Sequence, residues 1–376
     1  MTGKTFDQTS VDVQATPAEP VRPAAFDFGA YADYEISLQE RCRAFWRAES
    51  GVLVHRRMRI AEVLSYGCKD MRASLEWQLG GLQKSMDFKA DVPNFLTPWY
   101  GIGPIASAFG IDYIWKEKQA PALRPSFGSV KEALEGTTVA VSQSSIGSHV
   151  LEMIDYFLEE TGGRIPMSLT DTQSPLNIAG NVVEMSSFFI DMFDDPEAVK
   201  ALLMRLAELL ADFTREQIGR IGEALAWPGH GYTSCRSFEG LGMSNDNALM
   251  ISAEQYLEFA APAVEYLGES FAGVAFHSCG DWSDKVEAIK KIRGLRMIDG
   301  AFSGATDPSP NPPEPFAGAF ANTGIVVNAR IVGSPETVAE TVKMLWKPGM
   351  KLIVVTYCQT PEEQAEAYNS IHKICD

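Results

Sequence analysis

The chain has 376 residues, of which 45% are hydrophobic and 22% are charged, and this is the composition of a globular protein with a large core. A net charge of −17 opposes binding to nucleic acid and to anionic membranes, so neither is expected as a partner. Six cysteines are too few for a disulfide scaffold, and neither a secretory leader nor a run of about 18 apolar residues occurs, so we expect reduced thiols and a cytoplasmic location.

The first quarter of the chain divides into two segments of different pattern. Residues 1–25 are rich in Thr, Gln, Pro and small side chains without a hydrophobic period, which predicts a flexible tail. Residues 26–90 carry apolar side chains at helical spacing, most clearly over 71–85, which predicts a helical lead-in. We expect this lead-in to pack on a catalytic domain formed by residues 91–376.

The rest of the chain alternates between short apolar runs and amphipathic stretches. The strand-like runs are 139–141, 165–169, 232–235, 273–279, 295–298, 324–328 and 352–358. Helix starts between them are well marked, since Asp195 and Ser334 each precede a proline and an acidic residue. Strands and helices in turn are typical of parallel β/α units. A strand count close to that of a barrel favours a (β/α)8 TIM barrel with an N-terminal helical extension over an open sheet.

Two apolar runs of the predicted barrel end in soft metal ligands. The first ends at His277 and Cys279, and the second ends at Cys358. Because residues i and i+2 of a strand share a face, the imidazole of His277 and the thiol of Cys279 can meet at one ion. Cys358 is expected to add a third ligand from a neighbouring strand. Two thiolates and one imidazole suit zinc, and three protein ligands leave the open position that catalytic zinc requires.

Two questions about this motif stay open at the level of the sequence. Cysteine is among the most buried residue types, so core packing without a metal would also explain His277 and Cys279. For the fourth zinc position, Cys235 and Glu239 are the candidates from the protein, and water or substrate is the alternative.

Polar residues also follow other strands of the predicted barrel. Asp171 and Gln173 come after one apolar run, and Asn328 ends another. Barrel enzymes carry their active sites at the carboxyl ends of the strands, so we expect these three side chains to line a substrate pocket. The loop that bears Tyr100 is expected to contribute to this pocket and partly close it. Turn or helix-cap roles are the alternative, since Asp, Asn and Gln are common at such positions.

Several segments together resemble the uroporphyrinogen decarboxylase superfamily, from about residue 45 to the end of the chain. They are residues 97–110, 171–179, 194–197 and 251–256. Within this resemblance, His277 and Cys279 followed by Cys358 are similar to the His-x-Cys…Cys zinc signature of the corrinoid-dependent methyltransferase branch, which includes the methylcobalamin:coenzyme M enzymes. The superfamily implies a barrel, and this branch implies bound Zn²⁺.

The resemblance implies zinc-dependent transfer of a methyl group between a corrinoid and a small thiol or methylated substrate. The corrinoid, as methylcobalamin, is expected on a partner corrinoid protein. Zinc binding removes the proton from a thiol and holds the sulfur as thiolate, which is the nucleophile that such a transfer needs. In the reverse direction, zinc would act as a Lewis acid on a methylated substrate.

Two departures and two alternatives qualify this interpretation. Residues 54–59 contain arginines without the motif that binds the substrate carboxylates in true decarboxylases, and Tyr357 and Cys358 stand where those enzymes have Gly-His. A metal-independent decarboxylase that uses Asp171 and the arginines is therefore the second candidate. A non-catalytic zinc-binding or tetrapyrrole-binding protein is the third.

Overall fold

A computed structural model describes residues 14–376 and contains one parallel sheet with the strand order β1-β6-β5-β4-β3-β2. The strands are β1 Gly51–Arg56, β2 Leu241–Ser244, β3 Val274–His277, β4 Leu295–Ala301, β5 Val326–Ile331 and β6 Lys351–Thr356. All residues of β2, β3, β5 and β6 are buried. Burial on both faces is the usual environment of parallel strands covered by helices.

Two further extended segments close the sheet into a ring. Backbone bridges join Leu96 to Met167 and Gln173 to Ser244, the last residue of β2. On the other side, the N–H of Asp91 donates to a carbonyl of β1 at 2.8 Å. Together with the six strands, these segments form the ring of a (β/α)8 barrel, which confirms the predicted fold.

Helices surround this ring. Those in the described residues are α1 Phe28–Arg47, α2 Met71–Ser85, α3 Val130–Glu135, α4 Ser145–Thr161, α5 Pro175–Val182, α6 Met185–Asp194, α7 Pro196–Ile221, α8 Ala253–Gln255, α9 Ala261–Ser270, α10 Val286–Ile289, α11 Pro313–Phe320, α12 Pro335–Leu345 and α13 Pro361–Cys375. The predicted helix starts are confirmed, because the side chains of Asp195 and Ser334 cap α7 and α12. Within residues 14–376, no helix combines the length and apolarity needed to cross a membrane.

Three of the predicted secondary-structure assignments are wrong. The helical lead-in of 26–90 contains β1, which pairs with β6 and is therefore part of the barrel. The runs 139–141 and 232–235 are not strands, and the strand near the second of these runs is β2. Short apolar runs are ambiguous in sequence, and the structure shows 232–235 as a buried loop and 139–141 as a largely exposed one.

The described part of the predicted flexible tail is packed against α2. The N–H of Val21 donates to the carbonyl of Glu76 at 2.8 Å. A Cβ atom at Gly80 of α2 would lie 1.9 Å from the carbonyl oxygen of Glu19, so only glycine permits this approach. The prediction of a flexible tail is therefore wrong for residues 14–25, where backbone contacts hold a segment that has no hydrophobic period. Its remaining part, 1–13, lies outside the described residues.

One buried carboxylate joins three elements at the N-terminal end of the barrel. Asp91, which is 1% exposed, accepts hydrogen bonds from the hydroxyl of Tyr368 at 2.6 Å and from the backbone N–H of Val54 at 2.8 Å. His372 Nε2 and Arg41 Nη1 lie 2.8 and 3.0 Å from its oxygens. Asp91 therefore ties α1, β1 and α13 together, at the end of the barrel opposite to the strand ends that carry active sites.

Candidate metal centre

Three side chains with metal-binding atoms converge at the C-terminal ends of β2 and β3. They belong to Asp246, His277 and Cys279, and one ligand atom from each lies within 4.8 Å of the other two. His277 is the last residue of β3, and Asp246 follows β2 by two positions. Because β2 and β3 are adjacent and parallel, their ends deliver these groups to one place. The sequence analysis did not predict Asp246, since it did not recognise β2.

The spacing of these atoms fits a tetrahedral zinc site. His277 Nε2 lies 3.5 Å from Cys279 Sγ and 3.6 Å from Asp246 Oδ1. In a tetrahedral site with a zinc–nitrogen bond of about 2.05 Å and a zinc–sulfur bond of about 2.3 Å, the nitrogen and sulfur atoms are about 3.6 Å apart. The separation of nitrogen and sulfur therefore matches that of two zinc ligands, and all three groups have the chemistry of zinc ligands.

Asp299 sets the orientation of His277. Its carboxylate lies 2.5 Å from His277 Nδ1 and accepts a hydrogen bond from it, so Nε2 is the ring nitrogen that faces Asp246 and Cys279. A carboxylate behind a ligating histidine is the usual support of a zinc site. Strand register explains this contact, since Asp299 of β4 is paired with His277 of β3.

Asp299 is itself held by two residues of β5. Arg330 Nε donates to Oδ1 at 2.8 Å, and Asn328 Nδ2 donates to Oδ2 at 2.5 Å. Burial would raise the pKa of Asp299, but the charges of Arg330 and His277 outweigh it and keep the pKa well below its usual value. Asn328 was predicted to contact the substrate, and in the structure its amide nitrogen holds Asp299, which in turn orients His277.

The other two ligand groups are also positioned by hydrogen bonds. Asp246 accepts from the N–H of Cys279 at 2.7 Å and from the hydroxyl of Ser244 at 2.6 Å. Burial would raise the pKa of Asp246, but His277 and these donors lower it. Burial raises the pKa of the Cys279 thiol to about 12, and the charge of Asp246 adds to this effect. Metal binding at Cys279 must therefore release a proton, as is usual for thiolate ligands.

A second histidine, His230, lies beside the centre, and the sequence analysis missed it. Its Nδ1 is 2.7 Å from Asp171 Oδ1, and its ring centroid is 5.2 Å from that of His277. Asp171 also accepts from Trp99 Nε1 at 2.9 Å and from Gln173 Nε2 at 2.7 Å. The structure therefore places Asp171 and Gln173 at the predicted end of the barrel, where they position His230.

We expect the pKa of His230 to fall when Asp171 is replaced by Asn. Burial would lower this pKa, but the carboxylate of Asp171, assisted by Asp246 and Asp299, raises it above 6.5. The stabilising pair is then fully present below the unfolded pKa and is lost as pH rises through the folded value. NMR titration of the His230 ring, assigned with a His230→Gln variant, measures the change. Equal midpoints in Asp171→Asn and the unmodified protein would contradict it.

Cys358 is placed differently from the sequence prediction. β4 and β5 lie between β3 and β6, so the prediction that Cys358 comes from a strand neighbouring His277 is wrong. The order follows from the barrel, where each strand adds beside the preceding one. The Cys358 thiol is not part of the described cluster within 4.8 Å, and burial raises its pKa to about 11. Its carbonyl accepts from Arg56 Nε at 2.7 Å.

The two residues predicted as alternatives for the fourth ligand lie away from the centre. Cys235 and Glu239 both precede β2, whereas the ligands follow the strands. Cys235 is buried in an apolar cluster with Cys42, and exposed Glu239 lies 3.8 Å from Arg296 at the start of β4. Neither residue belongs to the cluster of Asp246, His277 and Cys279, because the run 232–235 is not the strand that ends at this site.

Tyr100 belongs to a separate aromatic group near the barrel opening. Its ring stacks on that of His149 with a centroid distance of 3.9 Å, and Tyr113 and Trp115 surround it. Its neighbour Trp99 reaches the Asp171 network, as described above. A role of Tyr100 in substrate binding stays a prediction.

Comparison with known proteins shows which family the sequence matches and which solved structure has a similar fold. The family model described as uroporphyrinogen decarboxylase (URO-D) matches residues 98–361, which is more than half of the chain. A solved structure described as a methyltransferase from Methanosarcina mazei superposes with a TM-score of 0.61 at 12% identity, over 89% of this chain and 98% of that one. At this identity the likeness concerns the fold. The search of curated proteins gives no match.

Proposed function

The chain belongs to the uroporphyrinogen decarboxylase family, and within it we propose that the protein is a zinc-dependent methyltransferase. The proposed reaction moves a methyl group between a corrinoid, methylcobalamin on a partner protein, and a small thiol or methylated substrate. The observation that carries the proposal is the convergence of Asp246, His277 and Cys279, with Nε2 of His277 directed at the other two. The description of the structural neighbour as a methyltransferase agrees with it.

Each residue of the centre has a defined part in this proposal. Zinc, when bound, would hold a substrate thiol as thiolate or polarise the group that leaves a methylated substrate. His277 and Cys279 would bind the ion, with Asp299 fixing the tautomer and the angle of the imidazole. Asp246 would add a carboxylate ligand whose orientation Ser244 sets. Catalytic zinc keeps one of its four positions for water or substrate, so with Cys358 also bound the carboxylate of Asp246 would be the ligand that a substrate atom replaces.

Two further residues extend the proposal beyond the cluster. Cys358, predicted from the sequence signature, is proposed as an additional sulfur ligand that reaches the ion from β6. The pair of His230 and Asp171 forms the wall facing His277, where it would orient the substrate and exclude water.

Removal of zinc is expected to abolish methyl transfer, and added zinc is expected to restore it. The assay follows corrinoid absorbance when chelated, zinc-restored and untreated protein are mixed with methylcobalamin and thiols, or with cobalt(I) corrinoid and methylated candidates. A Cys375→Ser variant is the matched control, because this thiol lies at the end of α13 and outside the cluster of Asp246, His277 and Cys279. We expect it to respond to zinc removal and zinc addition as the unmodified protein does. Equal rates with and without zinc would contradict the proposal.

Decarboxylation without a metal is the second candidate. The family match and the presence of Arg57 and Arg330 at the same end of the barrel favour it. Release of carbon dioxide from uroporphyrinogen by zinc-free protein would establish this alternative. Zinc binding without either reaction would leave the third candidate, a binding protein.

A further inference from the structure

Three buried polar atoms near the metal centre have no hydrogen-bond partner of good geometry among residues 14–376. They are Arg330 Nη2 and Asn328 Oδ1 on β5, and the hydroxyl of Tyr357 just after β6. These residues are 9%, 1% and 3% exposed. Buried polar groups are nearly always paired, since an unpaired one costs about 1–3 kcal/mol. Three such atoms on adjacent strands indicate a ligand that supplies the missing partners.

Arg330 is fixed on one side and open on the other. Its Nε is bound to Asp299, which in turn holds His277, so the guanidinium is anchored to the support of the metal centre. Burial would lower the pKa of Arg330, but Asp299, Tyr357 and Cys279 raise it, so the group stays charged. The carboxylate of Asp299 interacts with both Arg330 and His277, so it neutralises the charge of Arg330 only in part. One face of Arg330 therefore remains as a positively charged donor.

A second guanidinium strengthens the positive potential at this place. Arg57 follows β1, the strand beside β6, and a Cβ atom at Gly231 would lie 2.5 Å from Arg57 Nη2. Burial lowers the pKa of Arg57; Tyr357 opposes this effect, and the nearby charges of Arg59 and Arg330 add to it. Arg57 and Arg330 repel each other, and an anion bound between them would relieve this repulsion. The place is therefore locally positive in a protein of net charge −17.

We propose that Arg330 and Tyr357 bind a carboxylate of the substrate beside the metal centre, with Arg57 supplying a second positive charge. Arg330 Nη2 donates to the carboxylate, and the Tyr357 hydroxyl adds a second donor. Asn328 Oδ1 accepts a hydrogen bond from a hydroxyl or amide of the same molecule. This inference deepens the proposed function, since it names the substrate as a small carboxylic acid whose sulfur or oxygen reaches the metal.

The test compares a charged ligand with its neutral counterpart. Zinc-loaded protein is titrated calorimetrically with 3-mercaptopropionate and with 3-mercaptopropionamide, which have the same thiol but differ in charge. We expect the acid to bind at least about 10-fold more tightly, and Arg330→Gln to remove roughly 10- to 100-fold of its affinity while leaving the amide unchanged. Arg296→Gln, on the exposed start of β4, is the matched control and is expected to keep the preference.

Two further measurements separate this site from the metal centre. Zinc content of Arg330→Gln shows whether the loss of its bond to Asp299 disturbs the metal. Tyr357→Phe removes a hydroxyl that lies beside Arg57 but has no hydrogen-bond partner of good geometry, so it is expected to keep zinc and thermal stability while weakening the acid severalfold.

Propionate binding to metal-free protein tests the anion site without the proposed function. Propionate is expected to bind to the unmodified protein and to be weakened by both Arg330→Gln and Tyr357→Phe. Equal affinities for acid and amide in the unmodified protein, or an unchanged preference in both variants, would overturn the proposal. Loss of methyl transfer with intact propionate binding would instead refute only the proposed reaction.

Discussion

Replacing Cys279 by Ser is expected to reduce bound zinc from about one ion per chain to less than a tenth of that amount. The change removes a thiolate from a site where His277 and Asp246 supply the other described ligands. A neutral hydroxyl is a much weaker zinc ligand than a thiolate. Metal analysis after dialysis against a weak chelator measures the loss, and Cys375→Ser is the control that is expected to keep full zinc. Full zinc in Cys279→Ser would contradict the assignment.

Two parallel variants decide the rest of the ligand set. Asp246→Asn tests the ligand that the geometry brings to His277, and Cys358→Ser tests the ligand that was predicted from sequence alone. Cobalt(II) in place of zinc gives a sulfur-to-metal absorption band whose intensity reports the number of thiolates. A weaker band in Cys358→Ser identifies a second sulfur ligand, and an unchanged band removes Cys358 from the site.

Replacing Asp91 by Ala is expected to lower the free energy of unfolding by about 3–5 kcal/mol. The carboxylate is buried, and its removal leaves the side chains of Arg41 and His372 and the N–H of Val54 without their partner. Arg41 is half exposed, so solvent screens its part of the loss and most of the effect comes from the buried contacts.

Urea unfolding followed by circular dichroism measures the effect of Asp91→Ala. Asp212→Ala is the matched control, because its pair with Arg215 is at the surface, where Asp212 is 76% exposed. We expect this control to change the free energy of unfolding by less than about 0.5 kcal/mol. A loss in Asp91→Ala no larger than that of the control would show that the buried network does not fasten α13 to the barrel.

The strands β3 to β6 could be predicted because each contains a short apolar run, as expected for strands largely buried on both faces. β1 was missed because it lies between two helices and ends in His55 and Arg56. β2 contains Gly242, where a Cβ atom would lie 2.6 Å from the ring of Tyr232. Residues 232–235 are buried, and Tyr232 packs on β2 through a hydrogen bond to the carbonyl of Met243. Their composition alone does not distinguish packing on a strand from being one.

The residues of the candidate metal centre could be predicted only where a local sequence pattern identifies them. His277 and Cys279 share a strand face, which the i, i+2 spacing reveals. Asp246 depends on where β2 ends, and Asp299 stands inside an apolar run, so neither carries a local signal. His230 sits in a turn between two glycines with a φ of +46°, and its pairing with Asp171 exists only after the chain folds.

The pairing of β1 with β6 also has a consequence for how the molecule folds. Gly51 is paired with Lys351, so the ring closes through a loop of about 300 residues, and its closure costs more entropy than any pairing between successive strands. High contact order of this kind slows folding. Asp246, His277 and Cys279 come from adjacent strands within one short stretch of chain, so their part of the centre can assemble before the barrel closes. If zinc binds as proposed, it could act as a folding nucleus at these three residues, and only the proposed contribution of Cys358 would have to wait for the last strand.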